Sequence, residues 1–272
     1  DFAQKPEYGG LMLADQSTSG KTVNRMLHIN RHSEDLLSKL EAARLLCRES
    51  GCAQRYLTHD ALNAIYQATW QMAEDNGGEQ HERFLAYLHR IQDEDLTLGV
   101  AMTDGKGDRS KRPGDQQNIN SYVHIAERRA DGIVISGAKA IVTGGPYMHE
   151  LLVMPCRTMR KEDTDFAVCC AVPIDANGLT IISRPAGRPG EEDAEFCSKY
   201  GQSVAVCHFD QVLVPWDQVF LAGESEYTEH LVTSYANHHR HSCIGARAGF
   251  GDLLIGAGSL MTEANGLEMD TV

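Results

Sequence analysis

The feature that most constrains this chain is a periodicity that changes twice. Up to about residue 94 the apolar residues recur at helical spacing. Leu36, Leu37, Leu40, Ala43 and Leu46 form one stripe behind Ser33, an N-cap type followed by Glu34 and Asp35. Leu62, Ile65, Thr69 and Met72 form a second, stopped at Gly77-Gly78, and Phe84, Leu85, Leu88 and Ile91 form a third. Residues 1–32, polar and punctuated by glycine, read as an extended arm. After Asp93-Glu94-Asp95 the pattern breaks into short β-rich runs: Leu96–Met102, Tyr122–Glu127, Ile133–Ser136, Glu150–Met154, Phe166–Val172, Leu179–Ser183, Val204–Phe209 and Val212–Val214. Asp131-Gly132 is a hairpin signal. Strands at this spacing predict a small barrel or a sandwich. From about Glu224 the helical pattern returns.

The chain therefore divides into an arm and helical domain (1–94), a β domain (95–222) and the beginning of a second helical domain (223–272). The returning helix has little partner surface of its own, so its apolar stripe needs another domain or subunit. The opening Asp1-Phe2-Ala3-Gln4-Lys5-Pro6 lacks Met, and the expectation is a trimmed or incomplete chain.

The formal net charge of -13 sets a repulsive field against phosphate backbones and disfavours nucleic acid as a partner. No apolar run reaches the roughly 18 residues of a membrane span. The eight cysteines (Cys47, Cys52, Cys156, Cys169, Cys170, Cys197, Cys207, Cys243) are scattered, four of them in or beside β-rich runs. That distribution argues for reduced thiols and a cytoplasmic location rather than a disulfide framework.

Three segments could carry chemistry. The first is the loop Met102-Thr103-Asp104-Gly105-Lys106-Gly107-Asp108-Arg109-Ser110-Lys111-Arg112, which follows a strand directly. It holds four cations against two carboxylates and two glycines. It suits a phosphate group, or it is a solvated turn. The second is the run from Asp131 to Gly145. Its glycines leave room for a flat ring, and Thr143 is placed to hydrogen-bond a ring nitrogen; two ordinary strands with a tight turn would give the same residues. The third is His238-His239-Arg240-His241-Ser242-Cys243. His239 and Cys243 share a helix face, so the pair could ligate a metal or His239 could move protons. The alternative is a histidine-rich surface helix over buried thiols. Cys47 and Cys52 are poorly spaced for one face, and the chain has no CxxC pair for a closed zinc site.

Together these segments resemble the 4-hydroxyphenylacetate 3-hydroxylase superfamily, acyl-CoA dehydrogenase-like in fold, and within it the 4-hydroxybutyryl-CoA dehydratase/vinylacetyl-CoA isomerase branch. The resemblance rests on Asp60-Ala61-Leu62-Asn63-Ala64, Met102 to Ser110, Gly137 to Gly144, Phe209 to Pro215, His239-Arg240 and the run Gly249 to Gly258. It implies an α+β multidomain fold: an N-terminal helical domain, a middle β-barrel and a C-terminal helical domain. It implies FAD, bound through Met102, Thr103, Asp104, Lys106, Asp108, Arg109, Ser110, Ile141, Val142 and Thr143, with a Gly-x-Lys strand ending in Lys139 along the flavin. It implies His239 and Thr143 as catalytic residues and a homotetramer.

The dehydratase branch also carries a 4Fe-4S cluster on a Cys-x3-Cys pair and a His-x6-Cys pair. These positions hold Cys52 with Tyr56 and His239 with Ala246 here, leaving Cys52 and His239 as metal ligands and no standard cluster. A branch glutamate corresponds to Val204, a tyrosine to Cys243 and a lysine to Arg247; the hydroxylase branch's phenol-holding Arg and Tyr fall on Leu57 and Ala61. The implied function is an FAD enzyme isomerising or dehydrating a short acyl-CoA. The alternatives are an aromatic monooxygenase that takes reduced FAD from a separate flavin reductase, and a fragment inactive alone.

Overall fold

The computed structural model describes residues 5–51, 55–185 and 201–267. The N-terminal segment is not the extended arm expected from its polarity. Residues Pro6–Met12 form helix α1, and Leu13–Gln16 (β1) pairs antiparallel with Lys21–Asn24 (β2). Met12, Met26, Leu27 and Ile29 are buried, and Arg25 donates to the carbonyls of Leu11 and Leu13. A few large apolar residues, spaced too irregularly to form a stripe, anchor this segment.

Three helices follow: α2 (Ser33–Ser50), α3 (Arg55–Asn76) and α4 (Gln80–Asp93). The N-cap of α2 is His32 rather than Ser33; Asp35 reaches back to accept from the His32 and Arg31 amides. All four residues of the α3 stripe are buried, as are Phe84, Leu88 and Ile91 of α4. The α2 stripe is out of phase: Leu37 is exposed, while Lys39, Ala42, Ala43 and Leu45 face inward.

The β domain consists of β3 (Leu98–Ala101), β4 (His124–Arg128), β5 (Gly132–Thr143), β6 (Glu150–Val153), β7 (Val168–Pro173), β8 (Leu179–Arg184), β9 (Val204–Pro215) and β10 (Val219–Ala222). They form two four-stranded sheets, ordered β10-β7-β6-β3 and β4-β5-β9-β8. Among the described residues no sheet closes, so the expected barrel is a sandwich. Alternation explains the layering. Leu98, Val100, Leu152, Cys169, Ala171 and Phe220 of the first sheet join the core of α3 and α4, whereas Ala101, Leu151, Val153 and Cys170 meet Ile133, Ile135, Cys207 and Phe209 of the second. With both faces covered, β3 and β6 read as continuous apolar runs. Tyr87 and Arg90 of α4 both donate to Glu150 at the start of β6, at 2.9 and 2.7 Å.

The last element, α5, spans Thr228–Ala264 and returns across α2 and α3. Glycine permits the closest approach. A Cβ at Gly245 would lie 2.6 Å from the Leu40 carbonyl oxygen, and one at Gly249 would lie 2.2 Å from that of Arg44. Arg44 then grips Asp252 with two hydrogen bonds, of 2.8 and 3.0 Å. Beyond this crossing α5 exposes Leu254, Ile255, Leu260 and Met261. No described helix is long and apolar enough to cross a membrane.

Candidate functional site

A cavity of about 470 Å³ opens where the first sheet, α3 and α5 meet. Its size lies within the roughly 300–1,000 Å³ of small-molecule sites. One wall is Val100, Met102 and Thr103, leaving β3; a second is Ile141 and Thr143, ending β5. The third is helical: Tyr56 and Leu57 from α3, with Tyr235, His239, Cys243 and Arg247 from α5. Those four α5 residues recur every fourth position, so a helix must present them on one side.

The two sheet walls are fastened by a buried cation. Lys139 of β5 is 1% exposed, and its Nζ donates to the carbonyls of Met102 (3.0 Å) and Met154 (2.7 Å) and pairs with Asp104 at 2.8 Å. The Ala140 amide donates to the Thr103 carbonyl at 2.7 Å, and Asp104 also accepts from the Val123 amide. Asp104 and Lys139 pair with each other, and the Val142 side chain is fully buried between the sheets. Met102, Thr103, Ile141 and Thr143 line the cavity together.

Lys106, Asp108, Arg109 and Ser110 do not line this cavity. They lie in a turn that holds its own shape: Asp108 accepts from the amide and hydroxyl of Ser110, and Gln116 braces the Asp108 backbone. Arg109 is exposed. Backbone strain sits at the cavity lip. Ile141 has φ of 58° and is 67% exposed, an uncommon conformation for a β-branched residue. Gly144 then turns with φ of 71°.

His239 is held from three sides. Its ring stacks on Tyr235 (5.5 Å, 8°) and Tyr56 (6.1 Å, 24°), and its Nδ1 lies 3.3 Å from Asp60 Oδ2. Its Nε2 lies 3.6 Å from Cys243 Sγ. Asp60 is completely buried, and its Oδ1 accepts from Lys39 Nζ at 3.0 Å and from Ser242 Oγ at 2.5 Å. Burial pushes the Tyr56 phenol up, with Cys243 adding to the effect; it pushes the Lys39 ammonium down against the pull of Asp60. His238 is driven to about 4, mainly by burial and next by Lys39. Lys39 and Asp60 did not stand out as site residues in the sequence. A carboxylate inside the apolar run Ala61, Leu62 and Ala64 was the available signal.

The metal expectation named Cys52 and His239, and Cys52 lies outside the described residues. Tyr56, a half-buried phenol whose pKa burial pushes up, and Ala246, packed on Cys47 in a small apolar cluster, occupy two implied ligand positions. Among the described residues no group of three or more His, Cys, Asp or Glu could hold a metal ion. The site does not fit a 4Fe-4S cluster. The cavity lining mixes Thr103, Thr143, His239 and Arg247 with Leu57, Val100, Met102 and Ile141, a partly polar surface that suits a partly polar ring.

Fold and site together define a protein of helices packed on a two-sheet sandwich, with a small-molecule cavity at their junction. The profile of the 4-hydroxyphenylacetate 3-hydroxylase N-terminal family matches residues 1–221, and the chain belongs to that family. It is 37% identical over 275 residues to 4-hydroxybutyryl-CoA dehydratase/vinylacetyl-CoA-Delta-isomerase of Clostridium aminobutyricum, covering 98% of this chain and 56% of that protein. The 4-hydroxyphenylacetate 3-monooxygenase oxygenase component of Thermus thermophilus is 26% identical, over 99% of this chain and 56% of its own length. Among solved structures, an oxygen-tolerant archaeal 4-hydroxybutyryl-CoA dehydratase from N. maritimus superposes with a TM-score of 0.91 at 36% identity, covering 98% of this chain and 54% of that one. An oxygenase component of 4-hydroxyphenylacetate 3-monooxygenase, complexed with FAD and 4-hydroxyphenylacetate, gives 0.80 at 25% identity over 97% of this chain and 55% of that one. The chain thus spans about half the length of the relatives it matches.

Proposed function

We propose that this chain forms the flavin-binding part of an FAD enzyme acting on a short acyl-CoA, with isomerisation or dehydration-type chemistry and without an iron–sulfur cluster. The observation that carries the reading is the convergence of Met102, Thr103, Ile141 and Thr143 with His239 on one cavity. Met102, Thr103, Ile141 and Thr143 would hold the flavin ring, and Lys106, Arg109 and Ser110, farther along the same loop, would meet its phosphates. Bound FAD would supply an electron acceptor beside the substrate.

The chain's own residues supply the proton chemistry. Asp60 takes the Nδ1 proton side of His239, which leaves Nε2 as the basic atom facing the cavity. An imidazole there can remove a proton next to a thioester carbonyl and return it elsewhere on the acyl chain. Stopped-flow mixing with 3-butenoyl-CoA or crotonyl-CoA should perturb the flavin spectrum, and His239→Ala should slow turnover by about 10²–10⁴-fold. A flavin that ignores every short acyl-CoA would remove the reading.

The monooxygenase relatives motivate a second reading, an oxygenase supplied with reduced FAD by a flavin reductase. The phenol-holding positions oppose it, since Leu57 offers no hydrogen bond and Ala61 is buried in the core. FAD retained through purification favours the first reading, and binding of reduced FAD alone favours the second. The exposed apolar end of α5 supports a homo-oligomer. Sedimentation as a monomer at all concentrations would refute that.

A further inference from the structure

Cys243 lines the same cavity, half-buried, with its sulfur beside the basic nitrogen of His239. The resemblance leaves this thiol without a role. Its neighbours form a chain of contacts through the helical layer: Sγ to His239 Nε2 at 3.6 Å, Nδ1 to Asp60 Oδ2 at 3.3 Å, and Asp60 Oδ1 to Lys39 at 3.0 Å and Ser242 at 2.5 Å. Lys39 and Ser242 occupy one carboxylate oxygen and leave the other for the imidazole. The Nδ1 proton therefore points inward, and the Nε2 lone pair faces the thiol.

The remaining described cysteines differ. Cys169, Cys170 and Cys207 are buried between or beneath the sheets, and burial raises their thiols. Cys47 packs on Ala246. Cys156 is half-buried, with its thiol raised by burial and by Asp104.

We propose that Cys243, His239 and Asp60 form a thiol–imidazole–carboxylate relay in which Cys243 is a nucleophile that accepts an acyl group from a thioester. The step balances without a redox partner. The Sγ–H proton passes to Nε2 as sulfur attacks the thioester carbonyl carbon. The bond from that carbon to the leaving sulfur breaks, and the leaving thiolate takes the proton back from Nε2. One thioester is consumed and one is formed on Cys243; one thiol is released. Asp60 acts through His239 as a positioning residue. The proposal extends the acyl-thioester reading but needs no flavin, so the two can fail separately.

The test uses S-butyryl-N-acetylcysteamine, a thioester that does not depend on recognition of coenzyme A, and follows the intact mass of the full chain and the released thiol. The expected result is a single butyryl group on Cys243, absent in Cys243→Ala. His239→Gln and Asp60→Asn should each slow acylation by at least about tenfold. Iodoacetamide alkylation supplies a second measurement in the same variants. Cys243 should react faster than Cys156 in the parent, and His239→Gln and Asp60→Asn should slow Cys243 while leaving Cys156 unchanged. A variant that had merely loosened would expose Cys156 as well. Acylation surviving in Cys243→Ala, parent protein left unacylated, or Cys243 rates indifferent to both relay substitutions would each overturn the proposal. Flavin perturbation by acyl-CoA without acylation of Cys243 would sink the relay and leave the proposed function standing.

Discussion

At the scale of single residues, the cavity lip is where the backbone departs from its preferences. Ile141 sits in the left-handed region inside β5, in the irregular stretch of its pairing with β9 between Lys139 and Val142. The cost of that conformation is about 1–3 kcal/mol for a non-glycine residue. Little burial offsets it, since the side chain is 67% exposed. Strain held where a cavity is lined is expected where a ligand uses the strained group. Ile141→Gly should therefore raise stability by about 1 kcal/mol and weaken FAD binding at the same time. Urea unfolding and flavin titration of the same sample check both halves. A variant that is less stable, or that binds FAD as tightly as the parent, would remove Ile141 from the site.

At the scale of elements, the legibility of the sequence followed local pattern and stopped at long-range pairing. The stripes of α3 and α4 were readable because Leu62, Ile65, Met72, Phe84, Leu88 and Ile91 are apolar, buried and at helical spacing. The α2 stripe was not, because Lys39 is buried by Asp60 on α3, a partner 21 residues away that no window on α2 contains. Strand β9 read as two runs because Gln211, with φ of 54°, interrupts a single 12-residue strand. Strand β10 went unseen, four residues with no turn signal of their own. Much the same holds for the site. Met102, Thr103, Thr143 and His239 were legible, while Lys39 and Asp60, which fix the imidazole, were hidden as an ordinary surface lysine and a helix-face acid.

Helix α5 gives the element-scale prediction. It carries His239 and Cys243 and is positioned on α2 through Gly249, where a Cβ has no room. Gly249→Leu should push the helices apart, lower stability by about 1–3 kcal/mol, and weaken ligand binding in the cavity. Thermal unfolding and ligand titration together would show it. Unchanged values for both would mean that α5 is held elsewhere.

At the scale of the whole molecule, the helical layer buries histidines around a buried cation. His28, His59, His238 and His241 are all held below the ordinary imidazole value, in each case chiefly by burial, and Lys39 adds repulsion at His59, His238 and His241. Each group binds its proton less readily when folded than when unfolded. Below about pH 6.5 the unfolded chain therefore carries more protons than the native one, and stability falls as pH falls. The contribution is complete above the unfolded value of 6.5 and declines on the way down; for His238 the decline ends at about 4. A fully buried histidine such as His59 contributes a slope of up to about 1.4 kcal/mol per pH unit. The urea midpoint should accordingly drop steeply between about pH 6.5 and about pH 4.5, a range in which most paired carboxylates remain ionised. His59→Gln, compared with the parent across that range, should flatten the drop, costing more at the midpoint above pH 7 than at the midpoint near pH 5. A midpoint independent of pH over this window, or a slope that His59→Gln leaves intact, would show that these histidines take up protons without unfolding and that Lys39 does not keep them neutral.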